Sequence, residues 1–164
     1  KDYIFMYVTR TQTASANISR AKIWGWDTSL NYQTKWFNWD LAYNRTRGKD
    51  KSRNGELNAK SGDWLADISP DTVTSSLDVP LGETGLSAGW VATFAERATR
   101  VQTGTPEQGG YGVNDFYLSY KGRDRLQGMT TTVVLGNAFD KEYYSPQGVP
   151  QDGRNAKLLV SYQW

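Results

Sequence analysis

The stretch Phe37-Asn38-Trp39-Asp40-Leu41-Ala42-Tyr43-Asn44 alternates large apolar side chains with polar or small ones. Successive side chains of a β-strand point to opposite faces, so this spacing predicts a strand with one apolar and one polar face. The same alternation returns in residues 86–95, 115–120 and 155–164. Helical periodicity is hard to find along the chain. The sequence therefore predicts an all-β fold.

The composition favours a folded domain and excludes a membrane-spanning helix. The chain has 164 residues, the size of one domain, and 38% of them are hydrophobic. Seven Trp, ten Tyr and five Phe argue against disorder, because unfolded chains are poor in aromatic residues. The longest unbroken apolar run, Tyr3–Val8, has six residues, whereas a spanning helix needs about 20. The rings must therefore be buried or embedded in some other way.

The absence of cysteine and histidine excludes several kinds of site from this chain alone. A thiolate nucleophile, a disulfide, a Cys/His zinc site, a haem-ligating imidazole and a serine–histidine dyad each need one of these residues. Residues Gly85-Leu86-Ser87-Ala88-Gly89 match the Gly-x-Ser-x-Gly pattern, but that pattern needs a strand-to-helix turn and a histidine base. Nineteen basic and seventeen acidic residues are too balanced to indicate a nucleic-acid partner. We therefore expect neither an enzyme nor a metal site.

The connections between the predicted strands differ in length in a regular way. Those after the second, fourth and sixth strands are short, and those after the third, fifth and seventh are longer and rich in turn residues. The first connection, residues 12–17, is ambiguous in length. Bacterial outer-membrane barrels have this asymmetry, with short periplasmic turns and longer outer loops. The pattern predicts an antiparallel up-and-down transmembrane β-barrel. Its strands are expected at residues 2–11, 18–33, 36–47, 70–80, 85–99, 111–121, 128–139 and 154–164.

The positions of the aromatic rings favour a membrane barrel over a soluble sheet. Alternation alone does not separate the two, because a soluble sheet buries its apolar face in a core of its own. Tyr32, Trp36 and Trp39 cluster at one short turn, and Tyr162 and Trp164 lie at the terminus. Aromatic residues form girdles at membrane interfaces, near the ends of spanning strands. We therefore expect the apolar faces of the strands to contact lipid.

Basic residues gather near the ends of the strands that lead to the long loops, at positions of lipid-facing parity. Asp71 and Glu96 are acidic exceptions there. Because Arg and Lys form charge-assisted hydrogen bonds with phosphate, we predict that the cations contact lipopolysaccharide of the outer leaflet. Ordinary solvated strand ends are the alternative interpretation. The six predicted lipopolysaccharide-facing residues are Arg20, Lys22, Arg45, Arg47, Arg100 and Arg154.

Several motifs resemble those of one family. Residues Asn137-Ala138-Phe139-Asp140-Lys141-Glu142-Tyr143 resemble its Asn-Leu-Phe-Asp-x-x-Tyr element, and Ile23-Trp24-Gly25-Trp26-Asp27 resembles its apolar-Gly-apolar-acidic strand. With Gly153-Arg154-Asn155 and the closing Trp164, they make the chain similar to the C-terminal barrel segment of the TonB-dependent outer-membrane receptors. Within that family, Arg47-Gly48 and the final Ser161-Tyr162-Gln163-Trp164 look most like the haem, haemoglobin and haemophore receptors.

The resemblance implies a fold and a function. Residues 1–164 would form about eight strands, the C-terminal part of a barrel of about 22 strands, with the plug domain and earlier strands outside this chain. Such a receptor of the Gram-negative outer membrane binds an extracellular iron source and imports it with energy from the TonB complex. The source would be haem or a haem-carrying protein. Haem would be cargo rather than a cofactor of this segment, since the family's haem-ligating histidines have no counterpart here. The expected partners are outer-membrane lipid and lipopolysaccharide, the remaining strands, the plug, the TonB complex acting through the plug, and a haem-carrying protein.

Two alternatives stay open at this point. Ferric-siderophore receptors share much of the same pattern, so the chain could belong to one of them. A free-standing eight-stranded barrel with a structural or adhesive role is the other, since eight strands can close by themselves.

Two sets of side chains are predicted to bind a partner or cargo. In the loop 48–69, Trp64 suits a partner-binding hot spot, where Trp and Arg are enriched; alternatively, Trp64 folds back onto the loop. On the lumenal face most polar residues are expected to be hydrogen-bonded scaffold, with Arg97 the first to test for cargo. The loop candidates are Arg53, Trp64 and Leu65, and the lumenal candidates are Arg97, Asp115, Tyr117 and Lys157.

The terminal aromatic residues carry one further expectation. Tyr162 and Trp164 are predicted to anchor the last strand at the membrane interface. The resemblance implies that they also form the terminal signal read by the barrel-assembly machinery.

Overall fold

The chain forms β-strands over most of its described length. The structure is a computed structural model that describes residues 21–51, 64–66, 68–98, 109–145 and 148–164, and the backbone alone of 3–8 and 13–18. Within these ranges there are nine strands and one 3₁₀ turn, Asp124–Leu126, so the all-β prediction is confirmed. The strands are β1 (Tyr3–Val8), β2 (Thr13–Ile18), β3 (Ala21–Gln33), β4 (Asn38–Asp50), β5 (Asp71–Pro80), β6 (Leu86–Ala95), β7 (Tyr111–Lys121), β8 (Met129–Gly136) and β9 (Asn155–Tyr162).

In the described residues, no helix has both the length and the apolar character needed to cross a membrane.

Seven of the strands form one antiparallel sheet in which every strand pairs with its neighbours in sequence, in the order β3 to β9. This is the predicted up-and-down topology. β1 and β2 form a separate two-stranded antiparallel pair. The connections within the larger sheet alternate between short and long as predicted, and in chain order they span 34–37, 51–70, 81–85, 96–110, 122–128 and 137–154.

Some of the predicted strand boundaries are wrong. Residues 12–17 were expected to be a connection, but Thr13–Ile18 is a strand that pairs with β1. Its residues, Thr-Ala-Ser-Ala-Asn-Ile, are mostly small and polar and show no apolar alternation, so the pairing partner decides its structure. Conversely, β8 ends at Gly136 rather than at 139, because Asn137 adopts a positive φ of 46°, which a strand cannot continue.

The cross-strand register places the predicted apolar side chains on one continuous face. Directly opposed residues of an antiparallel pair point to the same side of the sheet. We call the side that carries the large apolar residues the apolar face, and the opposite side the polar face. One row of opposed residues on the apolar face crosses six strands: Trp39, Leu77, Trp90, Phe116, Leu135 and Ala156.

The apolar face is exposed rather than packed into a core. Phe116 is 40% exposed and Leu158 is 67% exposed. β5 and β6 have 10 residues each, which matches the 9–11 residues that a tilted strand needs to span a membrane. The sheet therefore has the surface and the length of a barrel wall. The buried apolar residues of the described part are mostly small: Leu65, Ala66, Ala92, Ala95, Ala98 and Val113.

On the polar face, one side-chain hydrogen bond reaches from β7 across β6 to β5. The Tyr117 hydroxyl on β7 donates to Asp78 Oδ1 on β5 at 2.8 Å. The Tyr117 ring passes over Gly89 on the intervening strand β6, and a Cβ atom at Gly89 would lie 2.0 Å from the Tyr117 ring. Gly89 is therefore the residue that lets the phenol reach the carboxylate.

We predict that Gly89→Val destabilises the folded protein, because the new side chain displaces the Tyr117 ring and removes its hydrogen bond to Asp78. Overpacking of this kind costs about 1–3 kcal/mol. The thermal unfolding midpoint in detergent measures the effect. Gly109→Ala is the matched control, since a Cβ atom at Gly109 meets nothing within 4 Å. Equal midpoints for the two variants would contradict the prediction.

Candidate functional site

The polar face carries carboxylates that are held by uncharged donors on the next strand. Asn31 Nδ2 donates to Asp40 Oδ1 at 2.5 Å, across β3 and β4. Asn44 Nδ2 donates to Asp27 Oδ1 on the same pair of strands. Together with the Tyr117–Asp78 bond, these contacts orient the carboxylates without neutralising their charge. We call the face of β3, β4 and β5 that carries Asp27, Asp40 and Asp78 the acidic wall.

The connection between β8 and β9 is anchored to the sheet by Asn137. Its backbone N–H donates to Asp115 Oδ1 at 2.7 Å. Its side-chain Nδ2 donates to the carbonyl oxygens of Lys141, at 2.8 Å, and Asp152, at 3.1 Å, while its Oδ1 accepts from Lys141 N–H at 2.8 Å. Asn137 is only 3% exposed. Asn137, the first residue of the Asn-Ala-Phe-Asp-Lys-Glu-Tyr element, thus ties the two ends of the connection together.

A polar cavity of about 320 Å³ lies between this connection and the polar face of β7, β8 and β9. The Tyr143 ring lies 4.6 Å from that of Tyr111, measured between centroids. Burial, with a smaller contribution from nearby Tyr111 and carboxylates, raises the pKa of the Tyr143 phenol. The lining includes Val113, Asp115, Tyr143, Gln151, Asp152 and Lys157.

The structure brings two of the predicted lumenal residues together in this cavity and leaves two outside it. Asp115 and Lys157 both line it, and Lys157 is exposed. Tyr117 lies on the same face, but its hydroxyl is used by Asp78. Arg97 lies in the connection after β6, outside the cavity lining, and is exposed. The cavity thus offers one cation and several hydrogen-bonding groups at the end of the sheet where β8 connects to β9. No group of three or more His, Cys, Asp or Glu side chains that could hold a metal occurs among the described residues.

The apolar face ends in a cationic patch at the side of the long connections. Lys22 lies opposite Lys49, Trp24 opposite Arg47, and Trp26 opposite Arg45 in the register of β3 and β4. Asp71 faces the two arginines: its carboxylate lies 3.6 Å from Arg45 Nε and 3.3 Å from Arg47 Nη2. The Tyr43 hydroxyl donates to the same carboxylate at 2.5 Å. We define the cationic patch as Lys22, Arg45, Arg47 and Lys49.

Trp64 lies on the cationic patch and Leu65 lies on the opposite side of the sheet. Trp64 forms an antiparallel bridge with Lys49, and Leu65 N–H donates to the Gly48 carbonyl at 2.9 Å. Leu65 packs on Gly48 and is 3% exposed, which leaves its side chain no surface for a partner. Trp64 contacts Trp24, Arg47 and Lys49 of β3 and β4, and its partner-binding role stays a prediction. We call residues 64–66 the Trp64 strap.

Three of the predicted residues, Arg20, Arg53 and Arg100, lie outside the described residues. Arg154 is the last residue before β9, and its N–H donates to Asp140 Oδ1 at 2.8 Å. Tyr162 is 61% exposed and Trp164 is fully exposed, with their ring centroids 6.4 Å apart.

Lys49 was not predicted to belong to the patch, because this strand was predicted to end at Arg47, three residues before its observed end at Asp50. The parity of Lys49 with Arg45 and Arg47 was the available signal. Polar contacts on the apolar face were not predicted either. There, Trp39 Nε1 donates to Ser75 Oγ and Trp90 Nε1 donates to Asn114 Oδ1, both at 2.9 Å. Such contacts depend on register, which a single strand does not reveal.

Comparison with known proteins identifies relatives of this chain. Residues 1–138 match the family described as TonB dependent receptor-like, beta-barrel. A hemin receptor of Yersinia enterocolitica is 61% identical over 159 residues, which cover 97% of this chain and 22% of that protein. A hemin receptor of Yersinia pestis is 59% identical over 166 residues, covering all of this chain and 23% of that protein. A TonB-dependent heme receptor A of Haemophilus influenzae strain 86-028NP is 25% identical over 90% of this chain and 21% of its own length. The chain thus spans about a fifth of the length of these curated relatives.

Solved structures share the fold. The copper transporter OprC superposes with a TM-score of 0.74 at 17% identity, covering 99% of this chain and 27% of that one. The apoprotein form of the FrpB iron transporter from Neisseria meningitidis gives a TM-score of 0.69 at 18% identity, with the same coverage of both chains. The likeness confirms the fold class predicted from sequence: the sheet is one sector of a larger barrel.

We predict that Asn137→Ala loosens the connection between β8 and β9, because it removes three hydrogen bonds and places alanine at a positive φ. At about 1 kcal/mol for each bond, the local cost is about 2–3 kcal/mol. Hydrogen exchange of residues 137–154 measures the loosening. Asn137→Gly is the matched variant, since glycine tolerates the φ but lacks the side-chain bonds. Exchange as slow as in the parent protein in both variants would contradict the role given to the side chain.

Proposed function

We propose a function for this chain from one premise that residues 1–138 establish: the chain belongs to the TonB-dependent receptor β-barrel family. It forms part of an outer-membrane transporter that imports hemin with energy delivered by TonB. The observation that carries this proposal is the identity of 61% and 59% with two hemin receptors over nearly the whole chain. Such identity exceeds what a shared barrel fold requires, since the solved transporters share the fold at 17% and 18%.

The chain supplies a sector of the barrel, and the closing aromatic residues support its C-terminal position. Within the described sheet, β3 pairs only with β4 and β9 pairs only with β8, so each has an unpaired edge. Open sheet edges do not occur in hydrocarbon, because each unpaired backbone group there costs several kcal/mol. Further strands must therefore flank β3 and β9 in the membrane. The same argument disfavours a free-standing barrel made of this sheet alone.

The partners follow from this placement. The apolar face contacts outer-membrane lipid, the polar face meets a plug domain, and the plug engages the TonB complex. A haem-carrying protein is the extracellular donor proposed for the long connections, and lipopolysaccharide is proposed to meet the cationic patch. A ferric siderophore remains the second candidate cargo on the basis of motif resemblance alone.

The polar cavity beneath the β8–β9 connection is the proposed cargo contact of this sector. Hemin carries two carboxylates, and Lys157 is an exposed cation within the cavity lining. Tyr143 and Gln151 add hydrogen-bonding groups beside it. Because this chain has no histidine, imidazole ligation of the iron would come from elsewhere in the receptor, and the cavity would contact the carboxylates.

We predict that the full-length receptor supports growth on hemin as sole iron source in a strain that lacks other hemin receptors, and only when TonB is present. Growth curves with and without TonB measure the effect. Ferric siderophores serve as the comparison cargo. Growth on a siderophore but not on hemin would assign the receptor to the second candidate, and growth without TonB would contradict energised import.

We predict that Lys157→Gln in the full-length receptor weakens hemin binding roughly two- to fivefold, the range expected for one exposed ion pair. Titration of hemin followed by its absorbance measures the affinity. Lys121→Gln is the matched control, because Lys121 is an exposed lysine of the polar face at the far end of β7. An equal effect of both variants would show a general charge effect rather than a contact at the cavity.

A further inference from the structure

We propose that Lys22 and Lys49, with Trp24 and Trp64, form a binding site for a phosphate group of lipopolysaccharide. The inference rests on the proposed function, which places the apolar face in the outer membrane and the cationic patch against lipopolysaccharide; it adds the residues of the site and the chemical group that they bind. It gives Trp64 a lipid-facing role, which differs from the partner-binding role predicted from sequence. It also adds Lys49, for which no role was predicted.

The first observation is a pair of like charges. Lys22 and Lys49 are directly opposed in the register of β3 and β4, on the same face. The Cβ atoms of opposed residues are about 4.5–5.5 Å apart, and like charges in that position are destabilising. An anion between the two ammonium groups would turn this repulsion into two charge-assisted contacts.

The second observation is that the nearby carboxylate, that of Asp71, is already paired with other cations. Asp71 pairs with Arg45 and Arg47, and it also accepts from Tyr43. Across the described residues, no ion pair involves Lys22 or Lys49. Glu96, the other acid of this parity, is exposed on the far side of Asp71, following β6. Among the described residues, the patch therefore has more cations than carboxylates, and Lys22 and Lys49 are the two that Asp71 does not pair with.

The third observation is that two indole rings hold the lysines in place. Lys22 Nζ lies 5.8 Å from the centroid of the Trp24 ring, and Lys49 Nζ lies 4.7 Å from that of Trp64. The two rings contact each other, with centroids 6.0 Å apart. A ring attracts a cation but accepts no full hydrogen bond from it, so the ammonium groups keep donors for a further ligand.

The Trp64 strap explains how a residue distant in sequence reaches this site. Its bridge to Lys49 puts Trp64 on the apolar face, and burial of Leu65 on the other side of β4 fixes the strap across the strand. Trp64 is half-buried against Arg47 and Lys49 rather than projecting from the sheet. Trp64 is therefore placed to contact a ligand that lies flat along the apolar face of the sheet.

The position along the strands decides the occupant. From the patch toward the short connection 34–37, the same face of β3 and β4 continues with Leu30 opposite Leu41 and Tyr32 opposite Trp39. This band is apolar and suits acyl chains. A ligand that lies against the band with its anionic group at the patch must be amphipathic, as a glycolipid with phosphates on its headgroup is. A soluble protein has no acyl chains to pack along that band.

The test measures binding of lipopolysaccharide to the purified, delipidated full-length receptor by native mass spectrometry. Lipopolysaccharide with both lipid A phosphates is compared with the same material after enzymatic dephosphorylation. We expect K22Q/K49Q to weaken binding of the phosphorylated form about tenfold, the equivalent of about 1.4 kcal/mol. W64A should weaken it about threefold by releasing Lys49. Dephosphorylated lipopolysaccharide should bind the parent receptor about as weakly as the phosphorylated form binds K22Q/K49Q.

Lys35→Gln is the matched control, because Lys35 Nζ lies 4.7 Å from the centroid of the Trp36 ring at the opposite end of the same strands. It should leave binding unchanged. Heat-modifiable migration in gels verifies folding, and K22Q/K49Q decides the matter if W64A does not fold.

Unchanged affinity in K22Q/K49Q, or equal binding of the two lipopolysaccharide forms, would overturn the proposal. So would binding of inorganic phosphate as tight as that of lipopolysaccharide. Loss of binding to a haem-carrying protein in W64A, with lipopolysaccharide retained, would return Trp64 to a protein interface. TonB-dependent growth on hemin is measured in parallel. Its failure in the parent receptor would refute the proposed cargo while leaving the lipopolysaccharide affinities interpretable.

Discussion

The cross-strand register of the seven-stranded sheet is the constraint on which the other features depend. Side chains alternate between faces with a period of two, so a slip of one residue would carry Trp90 and Phe116 inward and place Asp78 and Asp115 in lipid. The register is shared by six consecutive strand pairs, and an error in one pair would propagate to its neighbours. The large rings of the apolar face specify it because they have no favourable position on the other side.

Contacts between side chains on the polar face reinforce that register. The Tyr117–Asp78 bond crosses an intervening strand, and the Asn31–Asp40 bond joins two adjacent ones. Hydrogen bonds of this kind contribute little individually, about 1 kcal/mol. They are nevertheless selective, since each is available in one alignment only. The Trp39–Ser75 and Trp90–Asn114 bonds of the apolar face select the same alignment, so hydrogen bonds on both faces support one register.

Sequence predicted the faces and the topology but not the contacts. The alternation in residues 37–44 and the unequal connections are local patterns, and the structure confirms both. The Tyr117–Asp78 bond joins residues 39 positions apart, and the return of Trp64 to β4 is equally non-local. A period-two pattern states which way a side chain points and says nothing about what lies opposite. For that reason the sequence left two interpretations of Trp64 open.

The acidic wall has an electrostatic consequence for anything that moves past it. Asp27, Asp40 and Asp78 are held by amide or phenol donors that carry no charge, so the potential near β3, β4 and β5 is negative. A carboxylate that approaches this part of the sheet is repelled. On β9 the same face carries Lys157, so the charge of the described polar face is uneven from one edge of the sheet to the other.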